Sequence, residues 1–278
     1  MSNPISYAGS NPFGYAGKHV VVTGGASGVG AALVSLLTEL GAAGVTVVDR
    51  KPPTGGTAYV QADLADPASV DAAASAVDGP VHALFNNAGV AATLPTPVVM
   101  SVNYLGPRRL TERLIDRMPD GATITYTASI AGGQWPQRLA QIQELLDIED
   151  WDDALKWIES ERALITDAYS FSKECVQVHV MRSSKATAGR GVRTNSVCPG
   201  IIETPLIPDF EATMSRPLLD WTATQGIGRF AQPHEIAAVL AFLGSDASSY
   251  LNGTNLIADA GFTAAFTTGQ VDYTTLPS

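Results

Sequence analysis

Cysteine, basic side chains and long apolar runs are all scarce in this 278-residue chain. Only Cys175 and Cys198 are present, which excludes a disulfide framework or a CxxC metal site and favours a reducing, cytoplasmic location. The four histidines show no HxxxH or other ligand spacing, so we predict no metal site. No apolar run reaches the ~18 residues of a membrane span. The first residues also lack the basic and apolar segments of a signal peptide.

Negative charge is in excess. Seventeen basic residues stand against 27 acidic ones, which gives a net charge of −10 and a pI near 4.7. Phosphate binding requires a basic surface, so this balance argues against a nucleic-acid partner. Because 45% of the residues are hydrophobic and only 16% are charged, a disordered chain is excluded and a large core is possible. At roughly 150 residues per domain the length allows two domains, although α/β folds of this size are often one unit.

Short apolar runs alternate with segments of helical spacing along most of the chain. Strands are predicted at 19–23, 45–48, 59–61, 81–85, 122–126, 193–197 and 255–258, and helices at 31–40, 67–77, 103–118, 168–187 and 233–244. This alternation predicts an α/β fold, a single Rossmann-type doubly wound parallel sheet with helices on both faces. We expect one domain over residues 18–278. Before it, residues 1–17 are rich in Gly, Ser, Asn and Pro and are predicted to form an extended arm.

A glycine-rich turn, Thr23-Gly-Gly-Ala-Ser-Gly-Val-Gly30, joins the first predicted strand to the first helix. Its glycines allow a sharp bend and let the backbone approach a pyrophosphate, while the helix N-terminus favours the anion. The spacing differs from GxGxxG, and a purely structural strand-to-helix turn is the alternative. If the turn binds a dinucleotide, its candidate contacts are Gly24, Ser27, Gly28 and Val29.

Asp49 ends the second predicted strand, 19 residues beyond Gly30. This is close to the ~20-residue offset at which a carboxylate hydrogen-bonds the adenosine ribose of a dinucleotide. A carboxylate there also repels a 2′-phosphate, so NAD is favoured over NADP. The neighbouring Arg50 is the kind of residue that serves a 2′-phosphate, and both residues are candidate cofactor contacts. An Asp that merely caps a turn is the structural alternative.

Tyr169 and Lys173 lie four residues apart in Tyr-Ser-Phe-Ser-Lys, at the start of a predicted helix, and so share one helical face. A free tyrosine has a pKa near 10, which is too high for a base at neutral pH. A neighbouring ammonium, or an oxidised nicotinamide, favours the phenolate by its opposite charge. Tyr169 is then able to exchange a proton with a substrate hydroxyl or carbonyl. An isolated YxxxK is more often a helical Tyr beside an exposed Lys.

Further polar segments come soon after predicted strands, at the edge where the carboxyl ends of parallel strands meet. These segments are Asn86-Asn-Ala-Gly89, Ser129 and Pro199-Gly200. Asn103 lies in Val-Asn-Tyr-Leu-Gly, early in a predicted helix. The YxxxK pair is therefore not isolated, because a hydroxyl, amides and glycines are expected at the same edge.

In this order, the TGxxxGxG turn, NNAG, Ser, YxxxK and PG resemble the short-chain dehydrogenase/reductase family, over roughly residues 18–262. The resemblance implies an oxidoreductase in which Tyr169 is the general acid/base, Lys173 lowers its pKa and binds the nicotinamide ribose, and Ser129 orients the substrate oxygen. It also implies that Asn103 positions a water in a proton relay. The implied NAD contacts elsewhere along the sheet edge are Asp63, Leu64, Asn87, Ala88, Gly89, Pro199, Gly200, Ile202 and Thr204.

Two spacings depart from the usual family pattern. Gly89 and Asn103 are 14 residues apart, which is short, whereas Ser129 and Tyr169 are 40 residues apart, which is long. We therefore expect an insertion at about 134–166, whose apolar spacing indicates two short helices. Eight acidic residues and one lysine between residues 144 and 161 give these helices a charged face. A surface element that packs on its own domain, a lid over the substrate and an oligomer contact are the three interpretations.

The long insertion and the short preceding loop resemble the bacterial 3α-hydroxysteroid dehydrogenase/carbonyl reductase subgroup, in which the insertion is associated with dimerisation. The segment after Thr204 is apolar, which suits a bulky substrate or simple core packing. The expected function is NAD(H)-dependent interconversion of a secondary alcohol and a ketone, such as a hydroxysteroid, by a homodimer or homotetramer. A dihydrodiol, a terpene alcohol, a sugar alcohol and an acyl-chain carbonyl are alternative substrates. A non-catalytic NAD-binding sensor is the alternative function.

Overall fold

A parallel sheet forms the centre of the protein. A computed structural model describes residues 11–55 and 57–277. The strands of this part are β1 (His19–Thr23), β2 (Gly44–Asp49), β3 (Ala58–Gln61), β4 (Ala83–Asn86), β5 (Thr123–Thr127), β6 (Arg193–Pro199) and β7 (Asn255–Ala258). All neighbours pair in parallel, in the order β3-β2-β1-β4-β5-β6-β7, which confirms the predicted sheet. The order changes direction between β1 and β4, where a ligand crevice forms outside the carboxyl ends of the strands.

Helices cover both faces of the sheet. They are α1 (Gly28–Glu39), α2 (Pro67–Ala76), α3 (Thr96–Met100), α4 (Gly106–Leu114), α5 (Leu139–Asp147), α6 (Trp151–Ser160), α7 (Ala168–Thr187), α8 (Ile207–Met214), α9 (Arg216–Thr224), α10 (Pro233–Leu243) and α11 (Phe262–Thr267). On one face, Leu37 of α1 and Leu240 of α10 pack against β1. On the other, α2, α4 and α7 bury Leu84 and Ile124 of the sheet. The doubly wound arrangement is therefore confirmed. None of the described helices is long and apolar enough to cross a membrane.

Three helices that the sequence did not reveal begin with a proline at their second position. Pro97, Pro208 and Pro217 hold that position in α3, α8 and α9. Proline looks like a helix breaker, but in the first turn its missing N–H costs nothing because that group has no intrahelical partner. The segment after β6 is therefore two short helices rather than an apolar loop.

The helix predicted at 103–118 begins seven residues earlier, at Thr96. α3 passes through a π-helical turn, Ser101–Leu105, into α4, and a 3₁₀ turn ends the run at Arg117. Asn103 therefore lies inside a continuous helical run and not early in a helix. A π-turn inserts one extra residue into the helix and is frequent at functional sites, because it re-aims the side chains it carries.

The insertion folds against the rest of the domain. A 3₁₀ segment, Ile130–Arg138, leads into α5 and α6, so the two predicted helices are present. Their apolar residues Ile142, Leu145 and Ile158 are fully buried in the same cluster as the sheet and α7. The insertion is thus part of the main core and packs on its own domain.

Packing begins before Lys18, which the sequence placed at the start of the fold. Tyr15 is fully buried, its hydroxyl donates to the Ala241 carbonyl at 2.6 Å, and its N–H donates to the Leu40 carbonyl at 2.9 Å. The last residues of the arm predicted over 1–17 therefore pack on the domain, while residues 1–10 lie outside the described part. The overall content of small and polar residues over 1–17 did not predict the burial of Tyr15, because one aromatic residue changes that content little.

Candidate active site

The first turn of α7 presents the Tyr-Lys pair. Asp167 caps this helix by accepting from the backbone N–H groups of Tyr169 (3.0 Å) and Ser170 (3.1 Å). Lys173 is buried, with its ammonium nitrogen 5.6 Å from the centroid of the Tyr169 ring. That nitrogen donates to the Thr127 carbonyl at the end of β5, at 2.8 Å. The strand therefore fixes the lysine head beside the phenol.

Burial moves the pKa values of both groups toward their neutral forms. It raises the pKa of Tyr169 to about 12, and the Ser129 hydroxyl beside the phenol acts in the opposite direction. It lowers the pKa of Lys173 to about 8. A phenol with so high a pKa is protonated at neutral pH. It becomes a base only when positive charge is brought close to it.

Ser129 lies two residues beyond the end of β5 and is buried. Its hydroxyl oxygen accepts from the Ala131 N–H at 3.1 Å and so caps the 3₁₀ segment Ile130–Arg138. Its carbonyl oxygen accepts from the side-chain amide of Gln177, on α7, at 2.9 Å. The residue is thus held at both its side chain and its backbone, next to Tyr169.

Asn103 reaches α7 through a second hydroxyl rather than through the Tyr-Lys pair. Its amide nitrogen donates to the Val90 carbonyl and to the Ser172 hydroxyl, both at 3.0 Å, and its amide oxygen accepts from the Val90 N–H at 2.8 Å. A Cβ added at Gly89 would lie 3.3 Å from that oxygen and 3.5 Å from the Lys173 nitrogen. The glycine therefore leaves a space between the amide and the ammonium.

The glycine-rich turn after β1 leaves no room for side chains at two positions. A Cβ at Gly30 would lie 2.0 Å from the Gly24 carbonyl oxygen, and a Cβ at Gly24, where φ is +70°, would lie 2.7 Å from the Ala88 Cα. Ser27 is the N-cap of α1, and Val29 is buried in its first turn. Bare backbone and a helix N-terminus thus face the crevice, which fits the pyrophosphate of a dinucleotide.

Asp49 at the end of β2 is joined to the same turn. One carboxylate oxygen accepts from the Ala26 N–H at 3.0 Å, and the other accepts from the Lys51 N–H at 3.1 Å. Arg50 is exposed beside it. The carboxylate is therefore held against the glycine-rich turn, next to a cation that does not pair with it.

The β3 and β4 ends supply the segments predicted to flank the adenosine. Asn87 and Ala88 donate their backbone N–H groups to the Thr23 hydroxyl, each at 3.0 Å. Leu64 is buried against α4, where a Cβ at Gly106 would lie 2.4 Å from its carbonyl oxygen. The neighbouring Asp63 is exposed, and its carboxylate accepts from the Ala65 N–H at 2.9 Å. Asp63 stands at the rim of the crevice rather than within it.

The segment after β6 closes over the glycine-rich turn. Pro199 ends the strand, and Gly200 packs on Asp259 at the end of β7. Ile202 forms a parallel bridge with Ala231. Beyond it, the Thr204 methyl lies 3.4 Å from the position of a Cβ at Gly28. The structure therefore brings every predicted segment to one edge of the sheet.

Residues that the sequence argument did not single out also lie at the site. The Phe210 ring, on α8, meets the Tyr169 ring edge-on, with 5.1 Å between centroids and 77° between planes. Gln177 holds the Ser129 carbonyl, as described. Lys173 donates its hydrogen bond to a backbone oxygen, that of Thr127, which leaves no side-chain signal in a sequence. Gln177 does have a signal, since it lies four residues beyond Lys173 on the same helical face.

A doubly wound sheet with a glycine-rich turn and a Tyr-Lys-Ser group at its carboxyl edge defines a class, the nicotinamide-dependent oxidoreductases. Residues 18–140 match the family model for short chain dehydrogenase, and residues 157–263 match that for Enoyl-(Acyl carrier protein) reductase. The chain is 32% identical over 250 residues to coniferyl-alcohol dehydrogenase of a Pseudomonas species, covering 90% of this chain and 98% of that protein. The protein belongs to the short-chain dehydrogenase/reductase family, as its motifs predicted.

Two solved structures bear on the cofactor. The 3-alpha-hydroxysteroid dehydrogenase of Pseudomonas sp. B-0831, complexed with NADH, is 30% identical with a TM-score of 0.75, covering 92% of this chain and all of that one. A protein of Beutenbergia cavernae with bound NADP is 27% identical with a TM-score of 0.71, covering 91% of this chain and all of that one. The fold therefore binds a nicotinamide dinucleotide, and relatives of both cofactor types share it.

Proposed function

We propose that the protein is an NAD(H)-dependent enzyme that interconverts a secondary alcohol and a ketone. The observation that carries the proposal is the joining of Ser129, Tyr169 and Lys173 to the glycine-rich turn along one edge of the sheet. A bound nicotinamide supplies or accepts the hydride, which is chemistry that protein side chains lack. The residues of the chain then have to orient the substrate oxygen and move its proton.

Each catalytic residue has one task in this proposal. The Ser129 hydroxyl donates a hydrogen bond to the substrate oxygen, and the Tyr169 phenol exchanges the proton with that oxygen. Lys173, fixed by the Thr127 carbonyl, holds positive charge by the phenol. The Asn103 amide oxygen borders the space beside Gly89, where it would position a relay water between itself and Lys173.

We propose NAD rather than NADP as the cofactor. The Asp49 carboxylate accepts hydrogen bonds at the end of β2, where it would receive the ribose hydroxyls and repel a 2′-phosphate. Arg50 favours NADP instead, since it is exposed and its guanidinium has no partner among the described residues.

A bulky hydrophobic substrate, such as a hydroxysteroid, is the proposed class. The Phe210 ring lies against the catalytic phenol. It also packs on a small apolar cluster of Ile207 in α8, Leu219 in α9 and Phe230. The relatives that act on coniferyl alcohol and on a 3-alpha-hydroxysteroid support the same class.

Replacing Phe210 with Ala should shift the preference away from large cyclic alcohols. A substrate oxygen at Tyr169 brings the attached ring against Phe210, so removing that wall costs the ring its contact. We expect kcat/KM for a 3-hydroxysteroid to fall about tenfold relative to that for 2-propanol. Steady-state kinetics with both alcohols measures the ratio. Phe13→Ala, at an exposed ring near α10, is the control, and an unchanged ratio in Phe210→Ala would contradict the assignment.

A screen of NAD reduction over steroids, terpene alcohols, diols and sugar alcohols tests the function as a whole. We expect turnover of a hydrophobic cyclic alcohol. Turnover confined to sugar alcohols, dihydrodiols or acyl-chain carbonyls would change the substrate class and leave the chemistry standing. Tight NAD binding without turnover of any alcohol or ketone would favour a sensor.

A homodimer or homotetramer in the cytoplasm completes the proposal. β7 is an edge strand, and Ile257 on it is 51% exposed, a combination that favours pairing with a second copy. The insertion meanwhile covers its own α7. Both cysteines are free and buried, which suits a reducing compartment. A single sedimentation species of monomer mass would contradict the assembly.

A further inference from the structure

The 3₁₀ segment Ile130–Arg138 lies flush on the catalytic helix α7. A Cβ added at Gly132 would lie 2.7 Å from the Lys173 carbonyl carbon and 2.6 Å from the Gln177 amide nitrogen. The backbone that leaves Ser129 therefore touches α7 at the level of Lys173. Gly132 has no side chain to separate the segment from α7, so a shift of the segment is transmitted to the helix.

Two buried side chains of α7 form hydrogen bonds with this segment, one at each end. At the start, the Gln177 amide donates to the Ser129 carbonyl at 2.9 Å. At the end, the Glu174 carboxylate pairs with the Arg138 guanidinium. Glu174 and Gln177 are three residues apart and so share one face of the helix.

Arg138 also ties the pair to the insertion. Its guanidinium donates to the Leu164 carbonyl at 3.2 Å and lies 5.4 Å from the centroid of the Phe171 ring. On its other side, Phe171 stacks with Trp157 of α6, with 6.3 Å between centroids. Arg138 and the Phe171–Trp157 stack are thus two of the contacts that join the insertion to the catalytic helix.

The ion pair is costly for stability alone. The Glu174 side chain is fully buried, and its second carboxylate oxygen has no hydrogen-bond partner among the described residues. Burying a carboxylate in this way costs free energy that a single guanidinium does not fully return, and an apolar pair of similar size often packs as well. A charge kept at such a place is better explained by the geometry that it fixes.

We propose that Gln177 and the Arg138–Glu174 pair are positioning residues that hold the Ser129 hydroxyl at the Tyr169 phenol. They do so by fixing both ends of the Ile130–Arg138 segment on α7. The inference rests on the proposed function of Ser129 and Tyr169, and it gives the first part of the insertion a role in the reaction.

Three variants test the inference in the full-length enzyme: Gln177→Met, Glu174→Gln and Arg138→Met. In each we expect kcat for alcohol oxidation to fall about tenfold, the effect of one misplaced hydrogen bond at the reacting oxygen, with the Kd for NADH within about twofold of wild type. In Gln177→Met, the rising limb of kcat/KM against pH should move up by about one unit, because the Ser129 hydroxyl lowers the phenol pKa. Arg138→Lys, which keeps the charge, should recover most of the rate.

Arg182→Met is the matched control. Arg182 of α7 pairs with Asp147 of α5 at 2.5 Å, so this ion pair also joins the insertion to the catalytic helix, but both side chains are more than half exposed. We expect its kcat and pH profile to match those of the wild type. Folded variants of Gln177 and Glu174 with wild-type rates and pH profiles would overturn the inference.

Hydrogen exchange separates this inference from the proposed function, because it needs no turnover. Amide exchange over residues 130–133 should rise at least about tenfold in Gln177→Met and Glu174→Gln, and not in Arg182→Met. Unchanged exchange in the first two variants would overturn the positioning role. If the wild type turned over no alcohol but exchange rose in those variants, the proposed chemistry would be contradicted. The structural contact between the segment and α7 would still be supported.

Discussion

Replacing Tyr169 with Phe should reduce kcat at least about a thousandfold, because the phenol is the only group proposed to exchange the substrate proton. The change removes one oxygen and keeps the ring that meets Phe210 edge-on. We therefore expect the Kd for NADH, measured by fluorescence titration, to stay within about twofold. Tyr250→Phe, at a fully exposed tyrosine, should leave both quantities unchanged. Full activity of the Tyr169→Phe enzyme would refute the assignment.

The pH dependence of the wild-type enzyme follows from the same phenol. Burial raises the pKa of Tyr169 to about 12. The positive charge of a bound oxidised nicotinamide would lower that pKa. Oxidation needs the phenolate and reduction needs the phenol. We therefore expect kcat/KM for oxidation to rise with pH, kcat/KM for reduction to fall, and both limbs to be absent in Tyr169→Phe. A flat oxidation profile between pH 6 and about 10 would contradict this.

Replacing Asp49 should reverse the cofactor preference. Asp49→Ser removes the charge that would repel a 2′-phosphate and the acceptor for the ribose hydroxyls, while Arg50 stays in place. We expect the ratio of the NADPH and NADH dissociation constants to change about 100-fold toward NADPH. Fluorescence titrations with both reduced cofactors measure that ratio.

Asp49→Asn separates the two effects of the carboxylate. The carboxylate also accepts from the Ala26 N–H in the glycine-rich turn, and an amide oxygen keeps that bond. The Asn variant should therefore bind NADPH more tightly than the wild type does without loosening the turn. A wild-type protein that binds NADPH more tightly than NADH would refute the role given to Asp49.

The sequence predicted the parts of the site that are coded by spacing within one element. Residues four apart in a helix share one face, as Tyr169 and Lys173 do. Asp49 ends its strand at a fixed distance from the glycine-rich turn. The strand and helix order of the fold was predictable for the same reason. The spacing of apolar residues within each strand or helix indicates its type.

The rest depends on contacts between elements, which leave little trace in a sequence. Glu174 and Arg138 are 36 residues apart, and nothing in either neighbourhood predicts that they meet. Phe210 was visible as one of several apolar residues, but its place on the phenol depends on how α8 folds back. Asn103 was a candidate from the sequence, yet its π-turn and its bond to Ser172 arise from a helix whose prolines hid its start.

The buried ring of Tyr15 has a consequence for where the protein can be shortened. The family match begins at residue 18, and trimming to that point would seem harmless. It would remove a ring wedged between Phe85 of the sheet and Gly244, whose missing Cβ leaves the space that the Tyr15 hydroxyl occupies. Losing a buried aromatic side chain costs about 3–5 kcal/mol, a large part of the net stability of an ordinary domain. The family match and the folding unit thus begin at different residues, and a chain trimmed to residue 18 loses part of its own core.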